Sequence, residues 1–344
     1  MKKKRLLNWK NLLAFAISFS CLFFFLKDIE FEEVYFALKQ VDYRWVPLMV
    51  LAIWFSIVFR AFRWQILLRR IKDISVIRLY HMWAIGLMIN CVLPARMGDV
   101  IKAWILGQKE QIAITAPLAT VVVERLYDLC TVVLILSFVL ATFTFPAGQT
   151  YNWKGVDYPI GLLLRKIGIS FFMIALFVIA VLGILVYFPA QGRKKILRIF
   201  PGAMRERLED LLASFILGLD IFRRPIAAIL AGLWSLGVWS SIMFCVYFLF
   251  RGFDLPIGIL GSFLLMSALG LCVALPQAPG FIGVFHLATE IVLVKCFAID
   301  LAVAQAFAIS LWFIQIMPQI AIGFISLAIE GVSFEKIRER SQEA

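Results

Sequence analysis

Glu124, Arg125 and Asp128 stand together inside an otherwise apolar run of the chain. On a helix the two acids, four residues apart, share one face, and Arg125 sits about 100° round from Glu124. Such a trio either fixes helix packing as an ion pair or offers its acids to a cationic partner. A second group follows the break Asn90-Cys-Val-Leu-Pro94-Ala-Arg96-Met-Gly98-Asp99. Arg96, Asp99 and Lys102 recur every three residues, so they stack on one face of a helix that starts after Pro94. An anionic group near that break would meet Arg96 and the free backbone N–H groups of a helix start. Asn90, one turn before Pro94, adds a carboxamide ligand. The alternative is interfacial snorkelling with Asp99 as a cap.

Arg60 and Arg63 lie one turn apart, followed by Trp64. Arg with Trp is an ordinary membrane-interface anchor, or the pair captures lipid phosphate at the mouth of a site. A second break, Leu275-Pro276-Gln277-Ala278-Pro279-Gly280-Phe281-Ile282-Gly283, contributes Gln277 and is followed by His286 and Glu290 at i, i+4. That last pair suits gating or proton coupling, or is a satisfied structural histidine beside an exposed acid. No GxxxxGK[ST], GxSxG, HExxH or Cys/His ligand spacing occurs, so the reading predicts no enzyme, no cofactor and no metal site. The six cysteines lie in apolar runs and read as buried free thiols.

The elements that must position these groups are membrane helices. Of 344 residues, 62% are hydrophobic and 16% charged, against about 25% charged in a soluble domain. Runs near 9–26, 44–68, 112–145, 166–188, 226–250 and 300–328 are long enough for full spans. The first carries no cleavage-site pattern and reads as a retained span rather than a signal peptide. Segments 77–107 and 256–297 are apolar but broken at the centre by proline and glycine, so each should form two short helices. Backbone freed at such breaks must be buried or line a wet cavity.

The formal charge of +12 is mostly a sidedness signal. With both termini cytoplasmic, 25 of the 34 Lys and Arg residues fall in the proposed cytoplasmic pieces. The order span, span, broken hairpin, span then occurs twice in opposite senses. Residues 1–150 form a first repeat with an inner hairpin near 77–107. Residues 151–344 form a second, with a cytoplasmic amphipathic helix at 203–222 and an outer hairpin near 256–297. The expected fold is an all-α polytopic membrane protein: six full spans and two re-entrant hairpins as an inverted-topology repeat. Eight simple spans are the alternative. In such repeats the broken helices build the substrate site.

The motifs Arg60-x-x-Arg63-Trp64-x-x-Leu67-Leu68, Asn90-x-x-Leu93-Pro94-Ala95-Arg96-x-Gly98-Asp99, Glu124-Arg125-x-x-Asp128 and Pro279-Gly280-x-x-Gly283-Val284-Phe285 together resemble the lysylphosphatidylglycerol synthase transmembrane-region family, a flippase-like membrane domain. The resemblance implies lipid handling or translocation; the family's best-known member moves aminoacylated phosphatidylglycerol between leaflets. These 344 residues hold no counterpart of a synthase domain, and the second break has Gly280-Phe281 and His286 where many members have Gly-Gly and then Glu. The expected function is movement of an anionic or amphiphilic lipid between leaflets of a prokaryotic cytoplasmic membrane, driven by a gradient or passive. The partners are membrane lipids with an anionic headgroup, with no nucleic acid; a homo-oligomer is compatible with the chain. Arg60, Arg63 and Arg96 would engage the headgroup, and Asn90, Asp99 and Gln277 would complete its site. Glu124, Arg125 and Asp128 would form the central switch, with His286 and Glu290 outside it. An intramembrane enzyme and a non-transporting lipid-binding subunit remain the alternatives.

Overall fold

A computed structural model describes residues 9–93, 97–143, 150–153, 156–159, 162, 165–174, 176–177, 220–273 and 278–335. The described chain is mostly helical: α1 (Trp9–Lys27), α2 (Phe31–Lys39), α3 (Val46–Leu68), α4 (Val76–Val92), α5 (Gly98–Glu110) and α6 (Thr115–Thr142) come first. After them come α7 (Pro225–Gly252), α8 (Ile259–Val273), α9 (Val284–Phe297) and α10 (Leu301–Glu330). Tyr43–Leu68, Pro225–Gly252, Pro279–Phe297 and Leu301–Glu330 are long and apolar enough to cross a membrane. Helix α6, with 28 residues, reaches about 42 Å at 1.5 Å per residue and carries Glu124, Arg125 and Asp128 near its middle.

The all-helical architecture is as expected, with one addition and one change. The addition is a short antiparallel ribbon, β1 (Thr150–Trp153) and β2 (Val156–Pro159), with Tyr151 opposite Tyr158. Thr, Tyr, Trp and Val favour extended backbone, and this loop is too polar to continue a span. The second limb of the outer break also reaches spanning length, over Pro279–Phe297, so length alone does not make it half a re-entrant pair. The amphipathic helix expected at 203–222 lies outside the described residues except at its end, where Asp220–Arg223 form a 3-10 turn. The span expected at 166–188 is described only in part, as helix over 165–174 and 176–177.

Both broken segments do form two short helices. In the first, α4 and α5 pack against each other through glycine. A Cβ at Gly98 would run into the Gly86 carbonyl and the Asn90 amide, so only glycine permits this approach. The Asn90 Oδ1 accepts from the Gly98 N–H at 2.8 Å, satisfying one of the free donors at the start of α5. In the second, Gly280 and Gly283 take φ of 68° and 89°, values open to glycine at little cost. This break is tied to α1, because the Ala278 N–H donates to Ser18 Oγ at 2.8 Å, and to α10, because Trp312 Nε1 donates to the Gly280 carbonyl at 2.6 Å. The two breaks then meet: a Cβ at Gly280 would stand 3.5 Å from the Cys91 carbonyl.

The core follows from the same arrangement. Helix α3 packs along α7 and α4 along α10. One apolar cluster centres on Met49, Val246, Leu249, Phe250 and Phe307, and another on Ile57, Trp64, Trp83, Met88 and Leu106. Large apolar residues at Phe19, Phe36, Ile226 and Ile329 face outwards, as expected where the surrounding solvent is lipid. None of the six cysteines is in a disulfide.

Candidate functional site

Between the two apolar clusters lies a chain of charged groups drawn from α3, α5 and α6. Arg63, with no exposed surface, donates through Nη1 to Asp128 Oδ1 at 2.6 Å and to Ser235 Oγ of α7 at 2.9 Å. Asp128 also faces Arg60 Nη1 at 3.7 Å and Arg125 Nη1 at 3.2 Å. Arg125 reaches across to α5, where Nη2 and Nε donate to the two oxygens of Asp99 at 2.7 and 3.0 Å. This fork-to-fork pairing fits the planar guanidinium to a carboxylate. Lys102 is fully buried; its Nζ donates to Glu124 Oε2 at 2.7 Å and lies 3.7 Å from Asp99. The same ammonium sits 3.0 Å from the Trp83 ring centroid and 4.7 Å from that of Trp64, so aromatic faces supply much of its solvation.

These contacts sort the expected site residues. The structure brings Arg60, Arg63, Asn90, Asp99, Glu124, Arg125 and Asp128 into one neighbourhood; Arg96 and Gln277 lie outside the described residues. Arg60 and Arg63 are both buried in the protein beside Asp128. Glu124 and Asp128 share a face, as their spacing requires, yet serve different cations. Arg125 joins Asp99 and Asp128 and leaves Glu124 to Lys102.

A cavity of about 370 Å³ opens beside this network. Arg60, Asp99, Arg125 and Asp128, joined by their ion pairs, line it together with Asn90. Val132, Trp239, Ile242, Met266, Phe281 and Phe285 line it as well, as do Gln315 and Gln319 of α10. The cavity is thus lined from both breaks, through Asn90, Cys91 and Asp99 on one side and Phe281 and Phe285 on the other. Arg63, Lys102 and Glu124 stand behind the wall and hold its charged residues in place. Pro318 removes the N–H that would bond the Ile314 carbonyl, in the turn of α10 that carries Gln315 and Gln319.

Neither His286 nor Glu290 lines this cavity, and each has its own neighbours. The His286 ring is buried against Phe25 and Trp312, with centroids 5.2 and 5.6 Å away, and its Nδ1 has no hydrogen-bond partner. Glu290 instead accepts from Gln305 Nε2 at 3.2 Å. Both lie on α9, as helical spacing requires, and both are met by α10, His286 by Trp312 and Glu290 by Gln305.

Sequence reasoning gave no role to Ser235, Trp83, Trp239, Gln315 or Gln319. A serine, tryptophan or glutamine in an apolar span carries no distance information, so nothing local could connect Ser235 to Arg63, 172 residues away.

The chain is 26% identical over 237 residues to the protein named glycosyltransferase AglD of Haloferax volcanii, covering 64% of this chain and 38% of that one. It is 27% identical over 202 residues to the UPF0104 membrane protein MJ1078 of Methanocaldococcus jannaschii, covering 59% of this chain and 77% of that one. The chain therefore spans well under half the length of the first relative. The family pattern described as "Lysylphosphatidylglycerol synthase TM region" matches residues 11–323, which includes the charged network and both breaks. The chain is a multi-pass membrane protein that belongs to the lysylphosphatidylglycerol synthase TM region family.

Proposed function

We propose that the protein moves an amphiphilic lipid between the leaflets of a cytoplasmic membrane. The observation that carries this reading is the cavity between the two breaks, lined both by the ion-paired Arg60, Asp99, Arg125 and Asp128 and by a larger set of apolar side chains. A pocket of that kind matches a molecule with an ionic head and a hydrocarbon body, and a few fixed polar groups in an apolar wall set orientation. Arg60 and Arg125 engage the headgroup together with Arg96 of the first break, while Asp99 and Asp128 hold Arg125 between α5 and α6. Helices α5 and α8, of 13 and 15 residues, are about 20 and 22 Å long and too short to cross a hydrocarbon core of about 30 Å. One short limb in each pair supports reading α4–α5 and α8–α9 as opposed re-entrant hairpins of an inverted repeat, with both termini cytoplasmic. The protein is a transporter rather than an enzyme in this reading. His286 and Glu290 are its outer gating or proton-coupling residues.

The test is leaflet-labelled lipid in liposomes carrying the purified protein. Flipping that disappears in Arg96→Ala and Glu124→Gln supports transport. Normal translocation by both variants overturns the assignment of the site. A second reading, a lipid-binding subunit of a glycan-synthesis system that does not transport, draws on the relative named as a glycosyltransferase. It is favoured if the purified chain binds lipid and never exchanges it between leaflets.

A further inference from the structure

Gln305 joins α1, α9 and α10 away from the cavity. It sits in the second turn of α10 and is 1% exposed. Its Nε2 donates to the Phe25 carbonyl of α1 at 3.3 Å and to Glu290 Oε2 of α9 at 3.2 Å. Phe25 lies in the last turn of α1, where carbonyls have no partner within the helix, so the carboxamide caps that end. Both of its N–H groups are thereby used. Its oxygen is not: Oε1 is buried with no hydrogen-bond partner.

A buried acceptor without a donor costs free energy. Glu290, already bonded to the same carboxamide, can supply the donor in one protonation state. A carboxylate only accepts, whereas the acid carries an O–H. A carboxylic acid and a carboxamide then bond in both directions, N–H to acid oxygen and O–H to amide oxygen, and Nε2 keeps its second hydrogen for Phe25. Nothing at this place compensates a negative charge. The titratable groups around Glu290 are Asp28 just past α1, and His286 and Lys295 on α9 itself. Neither His286 nor Lys295 forms an ion pair with it, and α8, packed on the same helix, carries no Asp, Glu, His, Lys or Arg.

We propose that Glu290 is held as the protonated acid, paired in both directions with Gln305, and that this pair is the protein's proton site. Glu290 is half-buried, so it can exchange the proton with water on the proposed outer side. Ionised, it would place a charge without a cation in a span, which favours an arrangement in which it meets water. Proton loss therefore opens this junction and proton uptake closes it. Gln305 is the positioning residue. His286 is not the carrier, because an imidazolium there would leave the Nδ1 hydrogen without an acceptor. What the proton drives rests on the lipid-transport reading above; the proton site itself does not.

The test is infrared difference spectroscopy of the purified full-length chain in lipid, which separates carboxylic-acid from carboxylate absorption. At about pH 7 an ordinary glutamate, with a pKa of about 4.3, is ionised. The parent should show a carboxylic-acid band at that pH. The band should be absent in Glu290→Gln and unchanged in His286→Phe. It should shift in Gln305→Met, which removes the acceptor of the O–H; a Gln305 that only packs would leave the band in place. A parent without the band, a band that survives in Glu290→Gln, or an unshifted band in Gln305→Met overturns the proposal. Should Glu290→Gln fail to fold, the shift in Gln305→Met decides. Lipid exchange in liposomes should change about tenfold between about pH 6 and about pH 8 in the parent and stay level in Glu290→Gln. Equal pH dependence in both overturns the gating role. The expected band in a chain that moves no lipid supports the proton site and overturns the transport reading instead.

Discussion

Lys102 shows how a single residue acquires meaning only from its surroundings. Its ammonium has no solvent access and is held by Glu124 and the faces of Trp83 and Trp64. Removing one member of such a pair leaves an unpaired buried charge, at about 3–5 kcal/mol, while replacing both with apolar residues is often near neutral. Lys102→Met and Glu124→Leu are therefore each expected to lower thermal stability in detergent strongly, and the double variant to recover most of the loss. Purely additive losses in that cycle would mean that the two residues do not act as a pair. The sequence made Glu124 and Asp128 visible, because charges in an apolar run are conspicuous. It did not show which cation belongs to which acid, since that depends on how α3 and α5 lie against α6.

At the scale of elements, proline and glycine were the legible signals. The break at 93–97 separates α4 from α5 where Pro94 requires it, and Gly98 lets the two helices touch at Gly86. Gly98→Ala should force α4 and α5 apart and break the Asn90 cap. Its expected result is loss of folded protein at temperatures that the parent withstands, read by thermal unfolding, whereas Gly258→Ala, which meets nothing within 4 Å, serves as the tolerant control. The far end of α5 is tied down by charge. Glu110 pairs with Lys72 at 2.7 Å and with Arg78, linking α5 to the α3–α4 connection. The Lys72 hydrogen bond, with that of Arg78, holds the Glu110 carboxyl below its ordinary value of about 4.3. A depressed folded pKa stabilises fully above the unfolded value and is lost as pH falls through the folded one. The parent should thus lose melting temperature below about pH 4 more steeply than Glu110→Gln, in which that link does not titrate.

At the scale of the whole molecule, the excess of basic residues on one side predicts the orientation. In a chain cleared of its own cysteines, a thiol introduced by Ile71→Cys should react with an impermeant maleimide only from the cytoplasmic side. One introduced by Glu33→Cys should react only from the outside. Labelling of both from the same side would remove the inverted repeat, because the two hairpins could then not face opposite ways.

Composition, hydropathy and proline spacing alone determined that this chain folds as a bundle of membrane helices, two of them broken, with a handful of costly charges. Those properties are local: each run of residues either tolerates lipid and a continuous helix or does not. The tertiary structure decided the rest. It brought the two breaks together at Cys91 and Gly280, gave Arg63 to Asp128 and Lys102 to Glu124, and turned Trp239 towards the same cavity as Arg60. Those pairings depend on distances between helices far apart in the chain. Packing sets those distances, and no periodicity within one helix encodes them.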